Sequence, residues 1–431
     1  MFLSLHHKWL YKIGKLLKLI ILIPHPDSIG NAAEEIYYAT LKARREEIKV
    51  AIIYPKKIFF FLNYINLYNK NFFSLKSRYF LFSHNSFLQN FFGYLFSLYF
   101  VCARIIHAIL TKFFKVPKSG YYWRPMSGAD ILWMPDNKTV KFDIHKSKKQ
   151  DWDNQHENYL DIEITEQSNE KCNNIFQRLG YRNREFVCLH ARQGGYKGDH
   201  FFNLLNVNIS NFIKAIKEIC EREILVFRLG DSTMTRLPKI KNLIDYPFSN
   251  YKSAEMDNFL IKNCKFFICG PSGPMDSGRF IHKTKMLFHN CYNLFDMPFN
   301  TGDMCLMRPL YSKSKQKYLS LEEIYTSYKK INTSWWISED WVMGENNEDE
   351  ILEAVKEMLD NNFLLLNPLQ KQFKEYQLKA ARYLVKNFRF KENDLDNTID
   401  QYRFASRSLH WRGTISESFL KKNWKKSSRN K

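Results

Sequence analysis

The stretch VCLHARQGGYKGDHF, residues 187–201, passes from apolar residues into a histidine and an arginine two positions apart, then into three glycines and an aspartate. A short apolar run closed by turn residues predicts a buried strand over Phe186 to Ala191. Strand period places His190 and Arg192 on one face, with Leu189 and Ala191 on the other. The glycines behind them permit positive φ and close approach of backbone to a ligand. Two further stretches repeat the pattern: FRLGDS at 227–232 and FFICGPSGPMDSGRF at 266–280. Seven of the chain's 16 glycines fall in these places: Gly194, Gly195 and Gly198, then Gly230, then Gly270, Gly273 and Gly278. Each place follows a predicted strand. Ligands of open parallel sheets bind beyond the strands' carboxyl ends, so the three loops are expected to converge on one cleft.

Outward from these strands the chain keeps an α/β rhythm. In the second half, the spacing predicts a helix over Asn208 to Glu223 with Phe212, Ile213, Ile216, Ile219 and Cys220 on one face, and another over Ala254 to Asn263. Strands are predicted over Ile224 to Leu229, Lys265 to Cys269 and Lys285 to His289. Ser320-x-x-Glu323 and Asn347-x-x-Glu350 read as capping boxes opening helices, and later helical segments cover Leu369 to Asn387 and Ile415 to Trp424. In the first half, a strand over Leu17 to Ile23, a loop through Gly30 and Asn31, a helix over Ala32 to Arg45 and a strand over Ile48 to Tyr54 form a βαβ unit. ADILWM, residues 129–134, reads as a further strand, and the polar residues between Asn137 and Asn174 have the composition of a linker. This alternation predicts a parallel sheet with helices on its faces. A length of 431 residues favours two domains. The expected division is 1–165, 175–345, and a helical segment 346–431 that packs across both.

Composition narrows the partners. Lys and Arg exceed Asp and Glu by 65 to 44, a net charge of +21, which favours anionic ligands or surfaces. The eight cysteines show no C-x-x-C spacing, so reduced thiols in a cytoplasmic protein are expected. No cleavage site follows the first 23 residues, and the segment 87–115 is apolar and aromatic with a basic end. Its core, FFGYLFSLYFVCA at 91–103, falls short of the roughly 20 residues that span a bilayer. Two readings stay open for it: a buried core helix, or a patch lying in the headgroup layer of an anionic membrane.

Each loop has its own chemistry. Arg192 offers a planar fork of hydrogen bonds to a diphosphate, His190 exchanges a proton near neutral pH, and Asp199 supplies a carboxylate to orient that histidine or to act as a base. Arg228, Gly230 and Asp231 form a turn suited to a base or ribose, although Gly-Asp is equally an ordinary turn signal. Gly270, Ser272 and Gly273 stand where a strand gives way to a helix start, an arrangement that attracts phosphate. Asp257, near Glu255, is a candidate acceptor of ribose hydroxyl protons. Asp151-Trp152-Asp153 and Asp394-Leu395-Asp396 lie in polar, charge-rich stretches and read as solvated surface, so no metal and no cofactor is expected.

The blocks LGYRNREFVCLHARQGGY, VFRLGDS, IDYPFSNYKSAEMDNFLIKNCKFFICGPSG and MPFNTGDMCLMRP resemble a family of bacterial glycosyltransferases found with surface-polysaccharide genes. His190-x-Arg192 with the later Gly198-Asp199 also resembles the first motif of the fucosyltransferase superfamily, in which the arginine binds the donor's diphosphate. There the Gly-Asp follows the arginine closely, whereas here Gln193 to Lys197 intervene. The resemblance implies the GT-B architecture: two Rossmann-like domains facing a cleft, the C-terminal one holding the donor nucleotide. Together with the absence of a strand-end Asp-x-Asp, this leads to the expectation of a metal-independent glycosyltransferase that moves a sugar from a nucleotide-sugar to a glycan or lipid-linked acceptor, the first domain presenting the acceptor with its Gly30–Asn31 loop. A peripheral place at the inner face of the plasma membrane is expected. Two alternatives stand beside it: a basic nucleic-acid-binding protein, disfavoured because its basic residues are spread along the chain without a nucleic-acid motif, and a nucleotide-sugar-binding protein without turnover.

Overall fold

The computed structural model describes residues 16–22, 24, 29–54, 72–81, 87–114, 162–194, 205–295, 297–298, 300–327, 340–360, 366–387, 404–427 and 429. Contacts divide the chain into two compact units. The first comprises Met1–Leu179, Ser253–Phe259 and Phe280–His282; the second comprises Gly180–Lys252, Leu260–Arg279 and Lys283–Lys431.

In the first unit, β1 (Leu19–Leu22), α1 (Ile29–Glu46) and β2 (Lys49–Ile52) form a βαβ unit, with Leu19 opposite Lys49 and Leu22 opposite Ile52 in parallel register. The buried face of α1 carries Ala32, Ala33, Ile36, Tyr37, Ala39 and Ala43, and the Tyr37 ring packs on Phe280 at 5.1 Å. Gly30 and Asn31 belong to the first turn of this helix, not to a loop. First-turn N–H groups need no partner four residues back, so glycine and asparagine cost little there and the helix starts earlier than its apolar pattern.

Further along, β3 (Leu75–Lys76) takes an antiparallel partner in β4 (Glu163–Ile164). Between them in sequence, α2 (Phe87–Phe114) is one helix of 28 residues. After β4 comes α3 (Glu166–Arg178), which buries Ser168, Cys172 and Phe176. Among the described residues the expected linker instead carries a strand and a helix over Glu163 to Asn174: three buried positions four residues apart make a stripe too thin to show in composition. ADILWM and both Asp-x-Asp pairs lie outside the described residues.

Strands of the second unit begin with β5 (Phe186–His190), β6 (Leu225–Arg228), β7 (Leu243–Ile244), β8 (Phe267–Cys269), β9 (Met286–Cys291) and β10 (Met304–Met307). A separate antiparallel sheet of β11 (Leu310–Ser312), β12 (Lys317–Tyr318) and β13 (Trp341–Met343) follows, and then β14 (Thr414–Ile415). The main sheet has seven strands, all parallel, in the order β14-β10-β9-β8-β5-β6-β7. Every residue of β5, β6, β8, β9 and β10 is buried, as in a parallel sheet covered on both faces.

Its helices are α4 (Ile213–Glu221), part of α5 (Ala254–Asn263), the four-residue α6 (Gly273–Asp276), α7 (Leu321–Thr326), α8 (Glu348–Asp360), α9 (Pro368–Asn387) and α10 (Glu417–Asn423). Helix α8 packs on α4 and on β9 and β10, and the ion pairs Lys214–Asp349 and Arg222–Asp360 join the two helices. Both capping boxes form. Ser320 Oγ accepts from Glu323 N at 3.1 Å while Glu323 accepts from Ser320 N at 3.0 Å, and Asn347 and Glu350 exchange the same pair at 2.9 and 3.2 Å. The last helix starts at Glu417, not at Ile415, because Thr414 and Ile415 pair with Met304 and Cys305 as the sheet's edge strand.

Candidate active site

Parallel register aligns four strand ends of the second unit along one edge: His190 stands opposite Cys269, Cys269 opposite Phe288, and Cys291 opposite Met307. At this edge β8 ends in Cys269-Gly270, and a Cβ on Gly270 would lie 2.6 Å from His289 Cε1. The missing side chain leaves room for the His289 imidazole. From there His289 Nε2 donates to the carbonyl of His190 at 3.2 Å, and its Nδ1 accepts from Asn290 Nδ2 at 3.1 Å. Phe212 meets the ring edge-on at 4.7 Å. Asn290 is in the left-handed region at φ 52° and exchanges backbone-to-side-chain bonds with Asn346 at 2.7 and 2.8 Å. Asn346 Nδ2 then reaches Met307 O and Glu350, whose carboxylate receives a two-pronged bond from Arg429.

His190 is 6% exposed, and its Nδ1 lies 3.2 Å from Ser272 Oγ. That hydroxyl also donates to Gly270 O at 3.0 Å. A serine has one proton to give, so both bonds are satisfied when His190 Nδ1 carries the hydrogen, which leaves Nε2 as the lone-pair nitrogen. Burial first, then the cations Arg228 and Arg192, push the His190 pKa down to about 4, so the ring is neutral at pH 7. Burial, with Arg308 adding to it, takes His289 to about 3.

The strand ends at His190, so the alternation of faces stops before Arg192, which is half-buried in the loop beyond. Its carbonyl accepts from Val207 N at 3.0 Å, and a Cβ on Gly194 would lie 3.0 Å from Asn206 Nδ2. Asp199, with Gly195 and Gly198, lies outside the described residues. Arg228 is fully buried and its fork is filled: Nη1 donates to Asp245 at 2.8 Å and Nη2 to Gln193 Oε1 at 3.2 Å. Gln193 Oε1 also accepts from Thr235 N at 2.8 Å, tying the first glycine loop to the second. In that second loop Asp231 accepts from Thr233 N at 2.8 Å, and Gly230 at φ 147° faces Met234, whose Sδ would be 2.1 Å from a Cβ. The three loops are thus joined within one unit, through Gln193 on one side and His190–Ser272 on the other.

Other expectations fare differently. Ser272 stands just before α6, whose four residues continue as a wider π-helix over Ser277–His282. Asp257, Gly30 and Asn31 are residues of the first unit, where Asp257 lies on the first turn of α5. Glu255 is ion-paired with Lys171. Residues that the sequence reading passed over are Gln193, His289, Asn290, Arg308 and Asn346. His289 and Arg308 each stand at the end of an apolar run, the same signal that singled out His190. Among the described residues no group of three or more His, Cys, Asp or Glu side chains is gathered to hold a metal ion.

No protein-family model matches the chain, and a search of curated proteins finds no relative. Among solved structures the chain is similar to the crystal structure of the glycosyl transferase family 9 from Veillonella parvula DSM 2008. The identity is 11% and the TM-score 0.43, over 79% of this chain and 96% of that one.

Proposed function

We propose that the protein is a metal-independent glycosyltransferase of GT-B type, moving a sugar from a nucleotide-sugar to a glycan or lipid-linked acceptor of bacterial surface polysaccharide. The observation that carries this reading is the chain from His190 Nδ1 through Ser272 Oγ to Gly270 O at the carboxyl edge of a parallel sheet. It presents a neutral imidazole with Nε2 ready to accept a proton, beside Arg192 and near the place where ligands of such sheets bind.

In the proposed reaction the acceptor hydroxyl gives its proton to His190 Nε2, and its oxygen bonds to the anomeric carbon as the bond from that carbon to the diphosphate breaks. Arg192 offsets the charge that develops on the leaving diphosphate. A bound diphosphate also counters the cations that depress His190, so the imidazole becomes a better base once the donor is in place. Asp199 shares the base's work. The first unit presents the acceptor near Gly30 and Asn31, and α2 sits on an anionic membrane surface, supported by the apolar side chains it exposes: Phe87, Phe91, Tyr94, Leu95 and Leu98.

The test is release of nucleoside diphosphate from a panel of nucleotide-sugars. One or more donors should be turned over, and His190→Ala should slow that turnover by about 100-fold or more. A His190→Ala protein as fast as the wild type would overturn the assignment.

A further inference from the structure

Arg308 directly follows the last residue of β10, at the edge of the sheet that carries His190 and Gly270. Its own N–H is fixed to Cys291 O at 2.8 Å. The residue is 6% exposed, yet among the described residues its guanidinium makes a single hydrogen bond, from Nη2 to the neutral carbonyl of Asn206 at 3.1 Å, and its Nε has no partner. Among the described residues no carboxylate forms an ion pair with it. Glu345 acts on it from further off, and Glu345 Oε2 already accepts from Asn208 N at 2.8 Å. Arg228, buried in the same unit, is paired with Asp245, and the half-buried Arg429 with Glu350. A guanidinium held out of water without a close anion is costly, and the cost is recovered when an anion arrives.

Position says which anion. Val207, next to the carbonyl that holds Arg308, donates its N–H to Arg192 O at 3.0 Å, so the main chain of Arg192 and the guanidinium of Arg308 are anchored to consecutive residues of one segment. Arg308 is also close enough to help hold His289 neutral, and His289 bonds the carbonyl of His190. We infer that Arg308 is a second cationic ligand for the donor's diphosphate, acting with Arg192. This rests on reading the site as a nucleotide-sugar site. It supplies two positive charges to a doubly negative group from side chains alone.

Calorimetric titration of the full chain with inorganic pyrophosphate tests the inference. Arg308→Gln should weaken binding about 10-fold or more. Glu345→Gln, whose amide oxygen still accepts from Asn208 N, should tighten it several-fold, because a negative charge is removed beside Arg308. Should Arg308→Gln fail to fold, Glu345→Gln decides: tighter binding supports the inference, and unchanged affinity overturns it. Wild-type affinity in Arg308→Gln also overturns it while leaving the proposed activity intact. A wild-type protein that binds no pyrophosphate overturns it too, and the activity is then judged separately by nucleotide-sugar turnover.

Discussion

A methyl group on Gly270 would press into the His289 ring, because the gap where a Cβ belongs is the space the imidazole uses to reach His190. Gly270→Ala is therefore expected to cost roughly 2 kcal/mol, as overpacked sites do. Combining it with His289→Ala should recover part of that loss, read by a double-mutant cycle in chemical denaturation. Additive losses would show that the two positions do not collide.

The importance of Gly270 was legible in the sequence, but its reason was not. A turn glycine is expected to supply positive φ, whereas here the cause is a neighbour that only parallel pairing of β8 with β9 brings close. The same buried histidines make stability depend on pH. His190 has a pKa of about 4 when folded against about 6.5 when unfolded, so between these values the unfolded chain binds more protons. Stability from this group is complete above about pH 6.5 and falls as pH drops toward 4, by at most roughly 3 kcal/mol. His190→Asn should flatten that slope in denaturation curves collected from pH 4.5 to 7.5, and an unchanged slope would contradict the burial argument.

At the scale of elements, α8 is held from its first turn. Glu350 caps it with Asn347, holds Asn346, and receives Arg429 from near the chain's end. Arg429→Ala leaves a buried carboxylate without its partner and is expected to cost about 3 kcal/mol, whereas Asn347→Ala should cost about 1 kcal/mol. Equal losses would mean that the pair adds nothing beyond the cap. Both capping boxes were readable because their signal is local, four residues long. Strands β7, β10 and β14 were not: they have two to four residues, too few to show a period, and β14 pairs with β10 from far along the chain. Helix α3 was hidden by its polar surroundings, since Cys172 and Phe176 are the whole of its buried apolar stripe.

At the scale of the whole molecule, the sequence rhythm was sufficient for the α/β class and for a parallel sheet in the second half, because fully buried strands announce themselves as short apolar runs between turns. Helix α2 was the ambiguous case. Its exposed row includes Phe87 at 81% and Phe91 at 53%, and among the described residues no helix is long and apolar enough to cross a membrane. With a net charge of +21, the chain is expected to float with vesicles containing phosphatidylglycerol at low salt and to be released as salt screens the attraction. Phe91→Glu with Leu95→Glu should abolish flotation, and flotation equal to wild type would remove α2 from the membrane.

The central claim is that the joined loops at the edge of the seven-stranded sheet grip the diphosphate of a sugar nucleotide. Its most direct test is the melting temperature of the full chain against a panel of nucleoside diphosphates and their sugars, since a ligand bound only by the folded state must raise it. The account expects at least one to raise the melting temperature by several degrees at a concentration well above its Kd, with the rise lost in Arg192→Ala. A panel that leaves the wild type unmoved, or that stabilises Arg192→Ala just as well, would contradict it.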